Sequence, residues 1–353
     1  LAAGVYCGRV PGGSDGYTEL HYTGVRGYAD HPGRVPLMKD DIFHCASVSK
    51  LFTASSIMKL VEADILHLDD RLVELLPDLH IADKRCESIR LSHMLTHTSG
   101  LGDCEDYHWD TPLCDDDALK RYVYSDEVCG QPMIRNPGTG FGYSNVAYEI
   151  LGHIVSVFSP KLAGRALSYE DFVAGYCLGP AGMTASTMKT YARDGSHMAR
   201  PHNLDADRTV ALLQHYPYTR QHAPSSTLTS NTADLIKWAR AHLQGSRSGH
   251  GPGHGIFENP AIYDTIWHPY AVVPNNGEMM GLGWFMRRQK TAPNGADPRE
   301  YTLYGHEGSD DGFRSSFWIC PELDAVTVVL SNISKAPVKK INKNLFAVIA
   351  KTL

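Results

Sequence analysis

Three serine–lysine pairs in this chain have a spacing that suits an activated nucleophile. The Ser-x-x-Lys pattern occurs at Ser47–Lys50, Ser56–Lys59 and Ser186–Lys189. On a helix, a lysine three residues after a serine returns to the same face. Burial of that face lowers the lysine pKa, so its amine can take the serine proton while the serine attacks a carbonyl. The spacing alone does not distinguish the three pairs.

Position along the chain favours Ser47. It stands where the strand-like "DIFHCA" meets "VSKLFTASSIMKLVEADIL", a segment apolar on nearly every face and therefore typical of a core helix. A helix N-terminus offers unpaired N–H groups and positive potential to a developing oxyanion. Ser56 lies mid-helix, where a hydroxyl usually bonds to the preceding turn. Ser186 lies in a polar segment without a long apolar helix after it.

Composition is that of an ordinary globular protein. The chain has 353 residues, 42% of them hydrophobic and 20% charged, and a formal net charge of −6. We expect one large domain or two interleaved ones, and no nucleic-acid partner or membrane span. Because the chain starts at Leu1 without a methionine, we expect a trimmed or mature form and leave the compartment open. The eight cysteines form no C-x-x-C, which favours free thiols.

The order of elements predicts an α+β fold. Strand signals cluster at both ends of the chain, and helical patterns and polar loops fill the middle. We therefore predict an antiparallel sheet flanked by helices, built from residues 1–79 and 226–353. Residues 80–225 form an inserted, mainly helical domain in this interpretation, with the active site at the interface.

The turn "PGGSDG" separates the first two predicted strands, "AAGVYCGRV" and "TELHYTGVRGYAD" (residues 18–30). Asp69 and Asp70 predict the N-cap region of a short helix, "RLVELL", and "GLGWFMRR", which starts at Gly281, is strand-like.

Other candidate sites are weaker. The segment Ser248 to Gly255 holds His250 and His254, but its glycines and proline favour a solvated loop over a metal site. His93 and His97 lack the glutamate of a zinc-protease motif. The sequence predicts no metal and no cofactor.

The segment "FHCASVSKLFTASSIMKLVEADILHLDDRL" resembles the serine β-lactamase-like superfamily, in the branch of class C β-lactamases, DD-peptidases and esterases. That family follows Ser-x-x-Lys with Tyr-x-Asn and then with Lys-Thr-Gly or His-x-Gly on a strand. Both partners occur here in that order, as Tyr143-Ser144-Asn145 and His306-Glu307-Gly308. Family-like phrases lie between them, so the resemblance covers nearly the whole chain.

The resemblance implies a role for each residue. Ser47 would form an acyl-enzyme, while Lys50 and Tyr143 share the proton transfers. Asn145 would donate to the substrate's acyl side-chain carbonyl and hold Lys50 in place. The oxyanion hole would use the N–H groups of Ser47 and Ser309. The strand residues His306, Glu307 and Gly308 would contact the substrate.

Two residues depart from the β-lactamase pattern. His306 replaces the lysine of Lys-Thr-Gly, and Glu307 replaces its threonine. In the family that Lys-Thr pair helps to bind the substrate carboxylate. An imidazole does so less well at pH 7, and a glutamate facing the cleft repels an anion. Since adjacent strand residues face opposite sides, an alternative is that Glu307 points away.

The sequence therefore predicts a serine hydrolase for a small molecule or short peptide with an ester, amide or lactam carbonyl. We expect esterase, amidase or D-amino-acid peptidase chemistry on neutral or cationic substrates. With one cation fewer near Tyr143, its phenolate is harder to form, which favours Lys50 as the base and Tyr143 as a shuttle. The alternatives are a class C β-lactamase proper, a slowly deacylating penicillin-binding or sensor protein, and a non-catalytic scaffold.

Overall fold

Apolar residues that alternate at both ends of the chain build one antiparallel sheet. The structure is a computed structural model that describes residues 1–11, 17–247, 255–291 and 297–352. Its strands are β1 (Ala2–Pro11), β2 (Tyr17–Val25), β3 (Tyr28–Asp30), β4 (Val35–Pro36), β5 (Phe43–His44), β6 (His202–Leu204), β7 (Val210–Leu212), β8 (Thr229–Ser230), β9 (Ala271–Val272), β10 (Met279–Met280), β11 (Phe285–Thr291), β12 (Arg299–Asp310), β13 (Phe313–Cys320) and β14 (Ala325–Ser331). The large sheet has the order β2-β1-β14-β13-β12-β11-β10-β9.

The helices are mostly short, apart from four of 14 residues or more. They are α1 (Ser49–Glu62), α2 (Leu72–Leu75), α3 (Leu91–Leu95), α4 (Ala118–Val123), α5 (Asp126–Cys129), α6 (Asn145–Ala163), α7 (Tyr169–Val173), α8 (Ala223–Ser226), α9 (Thr232–Gly245), α10 (Ala261–Ile266) and α11 (Val338–Thr352). The predicted fold class, an antiparallel sheet flanked by helices, is confirmed. No helix among the described residues is both long and apolar enough to cross a bilayer.

Helices cover both faces of the sheet. On β1, Tyr6 joins the large core that includes Trp238 of α9, while Val5 and Cys7 face the smaller core around Phe346 of α11. This alternation is the period of two that a strand imposes. The sheet is therefore buried on both faces, and α1 lies within the larger core.

The apolar helix predicted after Ser47 is α1. Its residues from Ser49 to Met58 are all buried, and Phe52 stacks on Trp238 with ring centroids 4.0 Å apart. A short 3₁₀ turn, Ala46–Val48, leads into the helix from β5. Burial on all sides explains why the segment has no polar face.

Three local predictions differ from the structure. The strand expected over 18–30 is broken into β2 and β3, because Gly27 adopts a φ of +101° that ends the extended run. The cap of α2 is Arg71, while the Asp70 carboxylate accepts from the His67 N–H instead. The strand-like stretch from Gly281 begins as a strand only at Phe285. Apart from Pro11, the turn "PGGSDG" and the His250–His254 loop lie outside the described residues.

His242 generates a prediction on acid stability. Its ring is fully buried among aromatic side chains, neither ring nitrogen has a hydrogen-bond partner in the described structure, and burial lowers its pKa from 6.5 to about 3. As the pH falls, His242 therefore binds a proton in the unfolded chain before it does so in the folded protein. Its contribution to the free energy of unfolding is fully present above pH 6.5 and is lost as the pH drops towards 3. His242→Phe should reduce the slope of unfolding free energy against pH in that window by about 1.4 kcal/mol per pH unit.

Urea unfolding at a series of pH values measures that slope. His67→Phe is the matched control, because the His67 side chain is 64% exposed. Parallel slopes for the wild type and His242→Phe would contradict the expectation.

Candidate active site

Of the three Ser-x-x-Lys pairs, the structure gives only Ser47 its lysine as a partner. Lys50 Nζ lies 3.1 Å from Ser47 Oγ. Ser56 Oγ instead donates to the Phe52 carbonyl, and Lys59 pairs with Glu62. In the third pair, Ser186 bonds to Asp234 and Ser230, and Lys189 to Asp171. The other two matches therefore have structural partners.

Lys50 is fully buried and is held from two sides. Its Nζ donates to the Ser225 carbonyl at 2.9 Å as well as to Ser47. Burial lowers its pKa from 10.5 to about 8, although the charges of Glu149, Asp310 and Asp103 act in the opposite direction. A neutral amine is therefore accessible close to physiological pH.

Tyr143 reaches the same oxygen from the other side. Its hydroxyl donates to Ser47 Oγ at 3.0 Å, and its ring stacks on His97 at 4.3 Å. Burial raises the Tyr143 pKa far above its usual value, although the bond to Ser47 lowers it. Tyr143 is therefore a phenol, and Lys50 Nζ lies 5.1 Å from its ring centroid.

Asn145 is in the site but is bound to Asp103. Its Nδ2 donates to the two Asp103 carboxylate oxygens at 2.9 and 3.2 Å, and its backbone N–H donates at 2.7 Å. Its Oδ1 is buried without a hydrogen-bond partner in the described structure. The acceptor that positions Lys50 beside Ser47 is thus the Ser225 carbonyl, whereas the resemblance implied Asn145.

His306 lies close to Tyr143 on β12 and is neutral. Its ring is 2% exposed, and burial together with the Lys50 charge lowers its pKa to about 3. Its Nδ1 donates to the Glu307 carbonyl, which leaves Nε2 as a buried acceptor without a partner in the described structure. The position that carries a lysine in β-lactamases therefore contributes no charge.

Glu307 does line the cavity, with its charge partly offset. The Trp318 indole N–H donates to Oε1 at 2.8 Å, and Arg287 Nη1 lies 3.5 Å from the same oxygen. Arg287 is buried, and its guanidinium carbon lies 4.0 Å from the Trp318 ring centroid. Burial raises the Glu307 pKa, while the hydrogen bond from Trp318 and the charge of Arg287 act in the opposite direction.

A cavity of about 400 Å³ opens onto Ser47. Its walls combine aromatic rings, acidic side chains and the strand of the expected oxyanion hole. They are Ser47, Tyr107, Phe141, Tyr143, Asn145, Val273, Asn276, Glu278, Phe285, His306, Glu307, Gly308, Ser309, Asp310 and Trp318. All predicted site residues except Lys50 therefore lie on the wall of this cavity. Lys50 lies directly behind Ser47.

The approach of β12 to the nucleophile depends on Gly308. A Cβ at this position would collide with the Cys45 carbonyl oxygen and with Ser315 Oγ. Ser315 Oγ in turn donates to the Cys45 carbonyl at 2.7 Å. Only glycine lets the strand lie this close to the turn that carries Ser47.

Several residues around the site gave no signal in the sequence. The Ser225 carbonyl is a backbone group, which any residue type offers. Asp103 lies in a polar loop, and Glu149 and His222 form a fully buried pair, with His222 Nδ1 donating to Glu149 at 3.1 Å. The one hint in the sequence is Glu149, a glutamate four residues after Asn145 in a mostly apolar helix, which indicates a buried charge near the site.

His93 and His97, which the sequence offered as possible metal ligands, bond to neighbouring backbone groups. His97 Nδ1 accepts from the Ser144 N–H and His93 Nδ1 from the Arg90 N–H, so both rings serve the local backbone. Among the described residues, Asp40, Asp41 and His197 are the group whose potential ligand atoms converge, within 4.8 Å. None of these three residues is among those that line the cavity.

Comparison with known proteins finds the same architecture elsewhere. The Beta-lactamase family model matches residues 15–350. Penicillin-binding protein 4 of Amycolatopsis lactamdurans is 28% identical over 305 residues, which cover 84% of this chain and 74% of that protein. The chain spans about three fifths of the length of other curated relatives from Staphylococcus aureus and Bacillus subtilis.

Two solved structures share the fold over nearly the whole chain. The octameric penicillin-binding protein homologue from Pyrococcus abyssi superposes with a TM-score of 0.77 at 23% identity, covering 99% of this chain and 73% of that one. The D-amino acid amidase of Ochrobactrum anthropi SV3 gives 0.72 at 20% identity, covering 99% and 93%.

The buried lysine generates the next prediction. In ¹³C NMR of the protein, the Lys50 ε-carbon should titrate near pH 8, well below the 10.5 of an exposed lysine. Glu149→Gln should lower this pKa further, because it removes the negative charge that most favours the protonated amine. Glu74→Gln is the control, since Glu74 is exposed and does not act on Lys50. A Lys50 titration at 10 or above in the wild type would contradict this expectation.

Proposed function

The chain belongs to the beta-lactamase family, and from this we propose that it is a serine hydrolase that works through an acyl-enzyme on Ser47. The observation that carries the proposal is the convergence of Lys50 Nζ and the Tyr143 hydroxyl on Ser47 Oγ, at 3.1 and 3.0 Å. A nucleophile flanked by a base and a proton donor, at the mouth of a cavity, is the arrangement that acyl transfer needs.

The pKa values support Lys50 as the base. With a pKa near 8, about a tenth of the Lys50 amine is neutral at pH 7, whereas the buried Tyr143 phenolate is far less populated. Neutral Lys50 therefore takes the Ser47 proton as Oγ bonds to the carbonyl carbon. The neutral imidazole of His306 supplies no cation that would stabilise a Tyr143 phenolate.

The remaining steps use groups already at the cavity. The carbonyl electrons move to oxygen, where the backbone N–H groups of Ser47 and Ser309 stabilise the charge. When the tetrahedral intermediate collapses, the bond to the leaving group breaks and Tyr143 donates its proton to that group. The Lys50 ammonium then returns a proton to Tyr143, and water hydrolyses the acyl-enzyme.

We assign the substrate class from the walls of the cavity. Tyr107, Phe141, Phe285 and Trp318 present aromatic surface, while Glu278 and Asp310 add carboxylates. No lysine or arginine is among the described residues that line the cavity, although Lys339, from outside the wall, pairs with Glu278 at 2.9 Å. Such walls suit a small ester or amide that is neutral or cationic, and the name of the D-amino acid amidase neighbour agrees with an amidase.

We also propose the division of the chain that the sequence predicts. The strands of the large sheet come from residues 2–25 and 271–331 alone, which supports a sheet domain of 1–79 and 226–353. Tyr143 and Asn145 come from the 80–225 insertion, and Ser47 and His306 from the sheet domain. The catalytic groups would then meet at the interface of the two domains.

The nucleophile is testable against its own internal controls. Ser47→Ala should lower kcat for p-nitrophenyl acetate by about 10³-fold or more. Ser56→Ala and Ser186→Ala, at the other two Ser-x-x-Lys positions, should keep kcat within about twofold, because their hydroxyls bond only to structural partners. Loss of activity in Ser186→Ala with Ser47→Ala unaffected would overturn the assignment.

Substrate preference is tested by comparing nitrocefin with short-chain p-nitrophenyl esters and D-aminoacyl amides. We expect kcat/KM to be higher for the esters or amides, because His306 gives no cation to the nitrocefin carboxylate. A kcat/KM for nitrocefin far above the ester value would make this protein a β-lactamase. A persistent penicillin adduct on Ser47 by mass spectrometry would make it a penicillin-binding protein with slow turnover.

A further inference from the structure

One carboxylate beside the oxyanion strand connects three segments of the site. Asp310 is the last residue of β12, and its Oδ2 accepts from His44 Nε2 at 2.6 Å and from Ser226 Oγ. The His44 side chain is fully buried and that of Asp310 is 8% exposed. Bonds to an ionised acceptor in such surroundings are short and about twice as strong as neutral ones.

Each partner of Asp310 stands next to a group that the proposed chemistry uses. His44 ends β5 and comes three residues before Ser47. Ser226 follows Ser225, whose carbonyl accepts from Lys50 Nζ at 2.9 Å. Ser309, the proposed second oxyanion donor, directly precedes Asp310. The carboxylate therefore joins the segments that carry the nucleophile, the lysine acceptor and the oxyanion strand.

The end of β12 needs such an anchor. Beyond Asp310 the chain turns at Asp311 and Gly312, which has a φ of +76°, and returns as β13. Before this turn, Gly308 on β12 lies close to the Cys45 carbonyl, and Ser315 on β13 donates to the same carbonyl. These two contacts hold the strand pair against the segment that carries Ser47. Without the Asp310 bonds, the Ser309 N–H would be located by the β12–β13 pairing and by the contacts of Gly308 and Ser315 on one side of it, with no anchor at the end of the strand.

We propose that Asp310 is a positioning residue that sets the distance between the two oxyanion donors, Ser47 N–H and Ser309 N–H. It does not touch the reacting atoms and acts through His44 and Ser226. The proposal rests on the proposed function, because the oxyanion exists only if Ser47 attacks a carbonyl. Since misplacement of a donor by about 1 Å can cost about a hundredfold in rate, the effect belongs in kcat.

The test compares Asp310→Ala with Asp311→Ala. Both remove one carboxylate from adjacent positions, but Asp311 bonds only to the half-exposed His215, at 2.9 Å. With p-nitrophenyl acetate, Asp310→Ala should lower kcat by 10- to 100-fold and change KM by less than twofold. Asp311→Ala should change neither. Asp310→Asn, which keeps an acceptor oxygen for His44 and Ser226, should recover most of kcat.

A second readout follows the oxyanion hole directly. Phenylboronic acid adds to Ser47 Oγ, whose proton passes to solvent, and the tetrahedral adduct places an oxygen at the two N–H groups. Its affinity should fall with Asp310→Ala by the same factor as kcat/KM. If Asp310→Ala does not fold, Ser226→Ala removes one of the two bonds and should show a smaller loss of the same kind.

The outcomes separate this inference from the proposed function. Unchanged kcat in a folded Asp310→Ala, or a loss confined to KM, would overturn the positioning role while Ser47 remains the nucleophile. If the wild type shows no Ser47-dependent hydrolysis, the proposed function fails, and ¹⁵N-serine NMR then decides on Asp310. In that case Asp310→Ala, but not Asp311→Ala, should shift the Ser47, Ser225 and Ser309 amide resonances, and unshifted resonances would overturn the inference.

Discussion

The burial of one amine is the constraint on which the site depends. Lys50 has no exposed surface, and a buried ammonium is tolerated only with hydrogen-bond acceptors and compensating charge. Its acceptors are Ser47 Oγ and the Ser225 carbonyl. Ser225 lies 175 residues after Lys50 in the sequence. Satisfying this one side chain therefore requires that the start of α1 and the short helix α8 lie against each other.

The balance of charge around Lys50 follows from the same burial. Desolvation lowers its pKa, while Glu149, Asp310 and Asp103 resist the shift and hold the value near 8. All three acids have further partners, since Glu149 pairs with His222, Asp310 pairs with His44, and Asp103 accepts from Asn145. The acids are thus fixed in place, and the lysine is neither permanently charged nor permanently neutral at physiological pH.

Sequence reasoning succeeded where local pattern determines the outcome. The run after Ser47 has no polar face, so its burial as α1 was predictable, and the alternating segments at both termini predicted the sheet. The family resemblance carried by Ser47, Tyr143 and His306 predicted that these residues lie at one site. What it missed depends on tertiary contacts between residues with no local signature, such as the Ser225 carbonyl, the Asp103–Asn145 bond and the Asp310 anchor. In the sequence, Asp310 is one of several acidic residues in its stretch. Nothing near it predicts that the His44 ring lies 2.6 Å from its carboxylate.

The identity of residue 306 links mechanism to substrate preference through this lysine. A permanent cation there would disfavour the Lys50 ammonium, stabilise a Tyr143 phenolate and attract an anionic substrate. His306 does none of these, because burial keeps its imidazole neutral. The proposed base role of Lys50 and the proposed preference for neutral or cationic substrates thus rest on the same substitution. Glu307 and Glu278 each have a cationic partner, Arg287 at 3.5 Å and Lys339 at 2.9 Å, so the charges of both carboxylates on the cavity wall are partly offset.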